Sequence, residues 1–276
     1  MSAEELDQYY ETAVALAKRL GAIIKETALV RNKSTTSKLN RTDLVTETDK
    51  HIEKLLISTV NKEYPHHKII GEESTFEGAE CTLTDAPTWI VDPIDGTMNF
   101  VHSFPHSCIS IALFVNKEPE IGIIYNPHLE QFFSARKGKG AFLNGEPISV
   151  SDTKTMADAL VLTESFAREN SVKEKVILEN YKMLMRETHG PRSLGSAAMD
   201  MCMVACGAAD AYYQYKLNIW DIAAGELIVK EAGGVVLDTD GSPLNRFAMR
   251  VLTANSEDVA QAIAKKLIQY DPITDQ

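Results

Sequence analysis

Trp89-Ile90-Val91-Asp92-Pro93-Ile94-Asp95-Gly96-Thr97-Met98-Asn99-Phe100 is the stretch from which the rest of the chain can be read. An apolar run, Trp89 to Val91, delivers Asp92 into a turn, and Asp95 follows across Pro93. Pro93 biases Asp92 toward an extended conformation and has no N–H of its own. A lone acid after a strand is usually a turn or helix cap. Two acids at this spacing, backed by Gly96-Thr97, raise each other's pKa when packed together unpaired. A hard cation with all-oxygen ligands, such as Mg2+, relieves that repulsion. The turn can leave the Ile94 carbonyl free as a further ligand. Gly96-Thr97 should open a short helix, whose first N–H groups suit an anion. Metal ligands and a phosphate cradle thus fall within one six-residue turn.

Other acids join this centre. Glu72-Glu73 follows the strand-like Lys68-Ile69-Ile70, and neighbours on a regular strand point opposite ways. One glutamate is therefore expected on a metal and the other on water or a supporting shell. Asp221 is expected between a strand and a helix starting at Ile222, where an N-cap alone would explain it. Its second oxygen leaves metal binding open. Asp43 and Asp49 bracket Leu-Val-Thr-Glu-Thr. Asp49 suits the first turn of a helix, and it is also a candidate partner for the Thr97 hydroxyl. Lys38, in a polar loop, is placed to steer a phosphate. Glu72, Asp92, Asp95 and Asp221 have no Lys or Arg close by in sequence. Two or more Mg2+ ions would balance them and clamp an in-line phosphoryl transfer to water. Neither GxSxG nor a P-loop occurs, so water is the expected nucleophile.

The rest of the chain is compatible with this. Residues 3 to 29 repeat Leu and Ala at helical spacing, and a second helix is expected from Thr46 to Glu63. Arg31 to Thr42 reads as a loop or flap. Between residues 68 and 144, short apolar runs with Gly and Asn turns predict a mostly antiparallel sheet. After residue 150, strands at Ala159–Thr163, Ala211–Tyr215, Val235–Asp238 and Arg250–Ala254 alternate with helices, the last capped by Ser256 and running to about Tyr270. That alternation predicts a layered α/β or α+β architecture. The chain has 276 residues, 24% of them charged, and a formal net charge of −11. Such a balance disfavours nucleic-acid binding. No apolar run reaches the length of a membrane span, and the start shows no secretory signal. Cys81, Cys108, Cys202 and Cys206 form no CxxC pair and are expected as buried reduced thiols in a cytoplasmic protein.

Asp43…Asp49, Gly71-Glu72-Glu73-Ser74, Asp92 to Thr97, Gly195-Ser196-Ala197 and Trp220-Asp221 with Gly233-Gly234 together resemble the signature set of the inositol monophosphatase family, across nearly the whole chain. The resemblance implies a lithium-sensitive, Mg2+-dependent phosphatase with an α-β-α-β-α sandwich, usually homodimeric. It implies one domain over 1–276, with a metal- and phosphate-binding half to about residue 150 and a substrate-side half beyond. Glu72, Asp92 and the Ile94 carbonyl would hold one metal, and Asp92, Asp95 and Asp221 a second. A third ion would use Glu72 and waters near Glu73. Thr97 with Asp49 would activate water, and Gly96 and Thr97 would hold phosphate. Asp95, Gly195, Ser196, Ala197, Gln214 and Asp221 would line the alcohol side. Met98, Gln214 and Asn218 depart from the usual pattern of a second threonine, a glutamate and a histidine. The implied substrate is a myo-inositol monophosphate. Fructose-1,6-bisphosphate, histidinol phosphate or a 3′-phosphoadenosine nucleotide is the alternative, and a non-catalytic metal-binding regulator is the reading from another class.

Overall fold

A computed structural model describes residues 2–28, 35–37, 44–164 and 171–273. Helices α1 (Ala3–Ala28) and α2 (Glu47–Glu63) lie where the apolar periodicity puts them. They flank a short antiparallel pair, β1 (Thr35–Ser37) and β2 (Leu44–Thr46), so the expected flap holds a strand. Lys38 and Asp43 lie outside the described residues.

A seven-stranded sheet follows, in spatial order β3 to β9: Lys68–Gly71, Thr88–Asp95, Cys108–Val115, Glu118–Asn126, Gln131–Arg136, Ala141–Leu143 and Glu146–Ile148. Only the β3–β4 pair is parallel. Two short helices leave its strand ends, α3 (Glu72–Phe76) and α4 (Thr97–Val101). The second sheet runs β11-β10-β12-β14-β13, built from Leu160–Thr163 (β10), Gly190–Arg192 (β11), Ala211–Tyr215 (β12), Val235–Leu237 (β13) and Arg250–Ala254 (β14). The helices of this half are α5 (Val172–Glu187), α6 (Ala197–Ala205), α7 (Ile219–Glu231) and α8 (Glu257–Ala264). Ser256 caps α8 as expected, but the helix stops at Ala264, short of Tyr270.

Strand alternation builds the layers. On β4, Trp89 and Val91 pack with α1 and α2, while Ile90 faces α6 and α7. On β12, Tyr212 faces α6 and α7, while Tyr213 and Tyr215 pack with α5 and α8. Helices α6 and α7 therefore fill the space between the sheets, giving the expected α-β-α-β-α order. A strand buried on both faces reads as a continuous apolar run, which is why Trp89-Ile90-Val91 lacks polar alternation.

Candidate active site

The strand expected to end at Val91 continues to Asp95. Asp92 pairs with Ser110 and Asp95 with Cys108, so two residues of β4, Pro93 and Ile94, lie opposite one of β5, Ile109. This is a bulge. On a regular strand, residues three apart point to opposite faces; the extra residue resets the alternation and turns both carboxyls the same way. Both meet Asp221 from α7. Single oxygens of Asp92, Asp95 and Asp221 lie within 4.8 Å of one another. Among the described residues no Lys or Arg pairs with any of the three. Burial pushes the Asp92 carboxyl well above the usual carboxylate range, and Glu72, Asp95 and Asp221 push it further. Asp221 is raised by desolvation, then by Asp95 and Glu72. Burial also raises Asp95, against bonds from Ser196 and Ala198 that lower it. Such a donor set, all oxygen and short of positive charge, fits a hard divalent cation.

Each acid is held by its own oxygens. Asp95 Oδ2 accepts the Ser196 hydroxyl at 2.5 Å and the Ala198 N–H at 2.7 Å, which locks the start of α6 onto β4. Asp92 Oδ1 accepts the Ile94 N–H at 3.0 Å. The Ile94 carbonyl is not free as expected, because it accepts the Thr97 hydroxyl at 3.0 Å with one of its two lone pairs. Helix α7 begins at Ile219, three residues earlier than expected, and Asn218 is its N-cap. Asp221 is thus not the cap but a first-turn residue whose Oδ2 accepts the Asn218 N–H at 2.6 Å. Asn218 therefore positions Asp221 through its backbone.

Glu72 and Glu73 diverge because they open α3, not because they alternate on a strand. Glu72 lies outside the 4.8 Å set but near enough to raise Asp92 and Asp221. Glu73 is buried. Asp49 is 1% exposed; its Oδ2 accepts the Thr46 N–H and hydroxyl, and its Oδ1 accepts the Thr97 hydroxyl at 3.3 Å. Burial pushes Asp49 up to about 6, against its bonds with Thr46.

Gly96 is the N-cap of α4 with φ +83°, and a Cβ there would sit 2.9 Å from the His106 carbonyl and 3.1 Å from that of Gly195. Backbone from both halves of the chain thus crowds one turn. The Asn99 amide stitches it by donating to the His106 carbonyl at 2.8 Å and the Leu194 carbonyl at 2.7 Å. Gln214 sits on β12, where the Tyr212 hydroxyl donates to its Oε1 at 2.7 Å and leaves its two N–H donors for a ligand. The structure brings together Asp49, Asp92, Ile94, Asp95, Gly96, Thr97, Gly195, Ser196 and Asp221. Ala197 opens α6 beside them.

Three contributors escaped the sequence. Asn99 was the tether, Glu53 approaches α3 from α2, and His106 lies 3.7 Å from the buried Asp200 behind Asp95. Only Glu53 carried a signal, as an acid one helical turn after Asp49. All four cysteines are free, although Cys81 and Cys206 are only partly buried.

Relatives carry the same organisation. The profile of the Inositol monophosphatase family matches residues 5–271. The chain belongs to this family. Inositol monophosphatase 2 of Rattus norvegicus is 45% identical over 262 residues, covering 95% of this chain and 90% of that one. Inositol monophosphatase 1 of Homo sapiens is 42% identical over 272 residues, covering 98% of each. Among solved structures, the Thermotoga maritima IMPase superposes with a TM-score of 0.84 at 30% identity, covering 94% of this chain and 96% of that one.

Proposed function

We propose that this member of the inositol monophosphatase family hydrolyses small phosphate monoesters with Mg2+, myo-inositol monophosphate first among them. The observation that supports it most is the set of buried Asp92 and Asp95 with the half-buried Asp221, which lacks a described cationic partner. In this reading Glu72, Asp92 and the Ile94 carbonyl hold one ion, Asp92, Asp95 and Asp221 a second, and Glu72 with waters near Glu73 a third. Bound Mg2+ supplies charge neutralisation on the transferring phosphoryl group and lowers the pKa of water.

The chain's own residues do the rest. The Thr97 hydroxyl has one proton and two acceptors in reach, the Ile94 carbonyl and Asp49. Its lone pairs accept from the attacking water, and Asp49 holds the hydroxyl in that orientation. First-turn N–H groups beside Gly96 and Thr97 receive phosphate oxygens. Asp95, Ser196 and the Gln214 amide face the alcohol, Gln214 as a donor to hydroxyl oxygens. The two halves act as one domain, in a cytoplasmic homodimer.

Phosphate release from inositol 1-phosphate, fructose-1,6-bisphosphate, histidinol phosphate and a 3′-phosphoadenosine nucleotide, with and without Mg2+, tests the reading. Mg2+-dependent release, fastest from inositol 1-phosphate and abolished in Asp92→Asn, is expected. Li+ should inhibit it at saturating substrate. Preference for another ester moves the substrate; no release from any of them leaves a metal-binding regulator.

A further inference from the structure

The N-cap of helix α3 is Gly71, which has no side chain to accept from the first turn. The first N–H groups of any helix need acceptors from outside the helix. Here they come from α2. Glu53, 2% exposed, accepts the Glu73 N–H at 2.8 Å through Oε2 and the Ser74 N–H at 2.7 Å through Oε1. The missing side chain of Gly71 makes room for it, since a Cβ there would lie 2.6 Å from the Glu53 carboxyl carbon and Oε1. The φ of Gly71 is −115°, which any residue adopts, so space and not conformation requires glycine at this point.

Glu53 also stands four residues after Asp49 on the same buried face of α2. Positions so related are neighbours on a helix surface, about 5–6 Å apart. One prong, Asp49, grips the β4–α4 corner through Thr97; the other, Glu53, grips the β3–α3 corner at Glu73 and Ser74. We infer that Glu53 is a positioning residue for metal binding: it fixes the first turn of α3, and with it the backbone from which Glu72 reaches toward Asp92. A single rigid turn of α2 then sets the spacing between the Glu72 segment and the Thr97 segment. This rests on the reading of Glu72 as a metal ligand.

Glu53→Gln keeps the shape of the side chain but turns one acceptor oxygen into an NH2 that faces a backbone N–H. The test compares it with the parent protein and Glu72→Gln. Mg2+ is titrated into metal-free protein and followed by binding heat and by the Mg2+-dependent rise in Tm, then by phosphate release. Glu53→Gln should weaken Mg2+ binding by about 10- to 100-fold, the range for residues that orient metal ligands. At saturating Mg2+ its KM should match that of the parent. Parent-like Mg2+ binding in Glu53→Gln, with weakened binding in Glu72→Gln, overturns the inference. Parent-like binding in Glu72→Gln instead removes Glu72 from the ligands, and the inference falls with it. Should Glu53→Gln fail to fold, amide exchange in the parent decides: Glu73 and Ser74 should exchange slowly without Mg2+, and free-loop rates overturn the capping role.

Discussion

Thr97 carries the narrowest chemical claim, because its hydroxyl is its only polar side-chain group. That hydroxyl touches Asp49 and the Ile94 carbonyl and no other described residue. Thr97→Val keeps the β-branched shape and deletes the oxygen. Loss of a group that orients and activates the nucleophile costs about 10^2- to 10^4-fold in kcat. We expect that loss with a smaller fall in Tm, because Asp49 gives up one hydrogen bond but keeps those from the Thr46 N–H and hydroxyl. Steady-state kinetics at saturating Mg2+ checks it, and a parent-like kcat would remove Thr97 from water activation. The sequence exposed Thr97, Asp49, Asp92 and Asp95 because each sits at a turn where acids and hydroxyls are conspicuous. Asn99 and Glu53 stayed hidden because they act on backbone carbonyls and N–H groups of distant segments, and a backbone partner leaves no residue type to notice.

At the scale of elements, the site depends on two junctions that periodicity does not describe. The β4 bulge changes the facing of Asp95, yet a bulge has no fixed residue signature here. The early start of α7 at Ile219 moved Asp221 from cap to first turn, because Asn218 outcompeted it for the cap position. Long apolar helices and strands were legible, since burial on one face imposes a repeat. The α4 corner is the element most exposed to steric test. Gly96→Ala demands a left-handed backbone from a residue with a Cβ, which costs about 1–2 kcal/mol. It also drives that Cβ into the His106 and Gly195 carbonyls. With about 2–4 °C of Tm per kcal/mol at this size, a fall of several degrees is expected. Activity should fall further than stability, because the turn that yields also carries Thr97. Calorimetry beside phosphate release checks this; a variant that loses Tm but keeps kcat would show that the corner can relax without moving Thr97.

For the molecule as a whole, burying so many acids links its stability to pH and to metal. Asp49 and Asp200 are both raised from 3.8 to about 6, chiefly by burial, and Asp92, Asp95 and Asp221 are also raised. A raised carboxyl binds more protons folded than unfolded, so it favours the fold below about pH 4 and loses that contribution as pH climbs through 6. Glu226 has the opposite sign. Burial alone would raise it, but Arg246 at 2.6 and 2.8 Å and Lys230 at 2.7 Å hold it below the usual range, so its support is lost as pH falls. Glu5, Glu130 and Asp240 are lowered too, but they lie at the surface, so among the described residues the raised buried acids make the first slope dominate near neutrality. A shift of the size seen at Asp49 corresponds to about 3 kcal/mol between pH 4 and 7. Metal-free protein should therefore lose Tm steadily from pH 5 to 7.5. Mg2+ favours the ionised carboxylates and should remove most of that slope, raising Tm most at the alkaline end. Thermal unfolding across this range in chelator and in excess Mg2+ measures both curves. Parallel curves would mean that Mg2+ does not bind the raised acids, whereas convergence at acid pH is the outcome that places the cation among them.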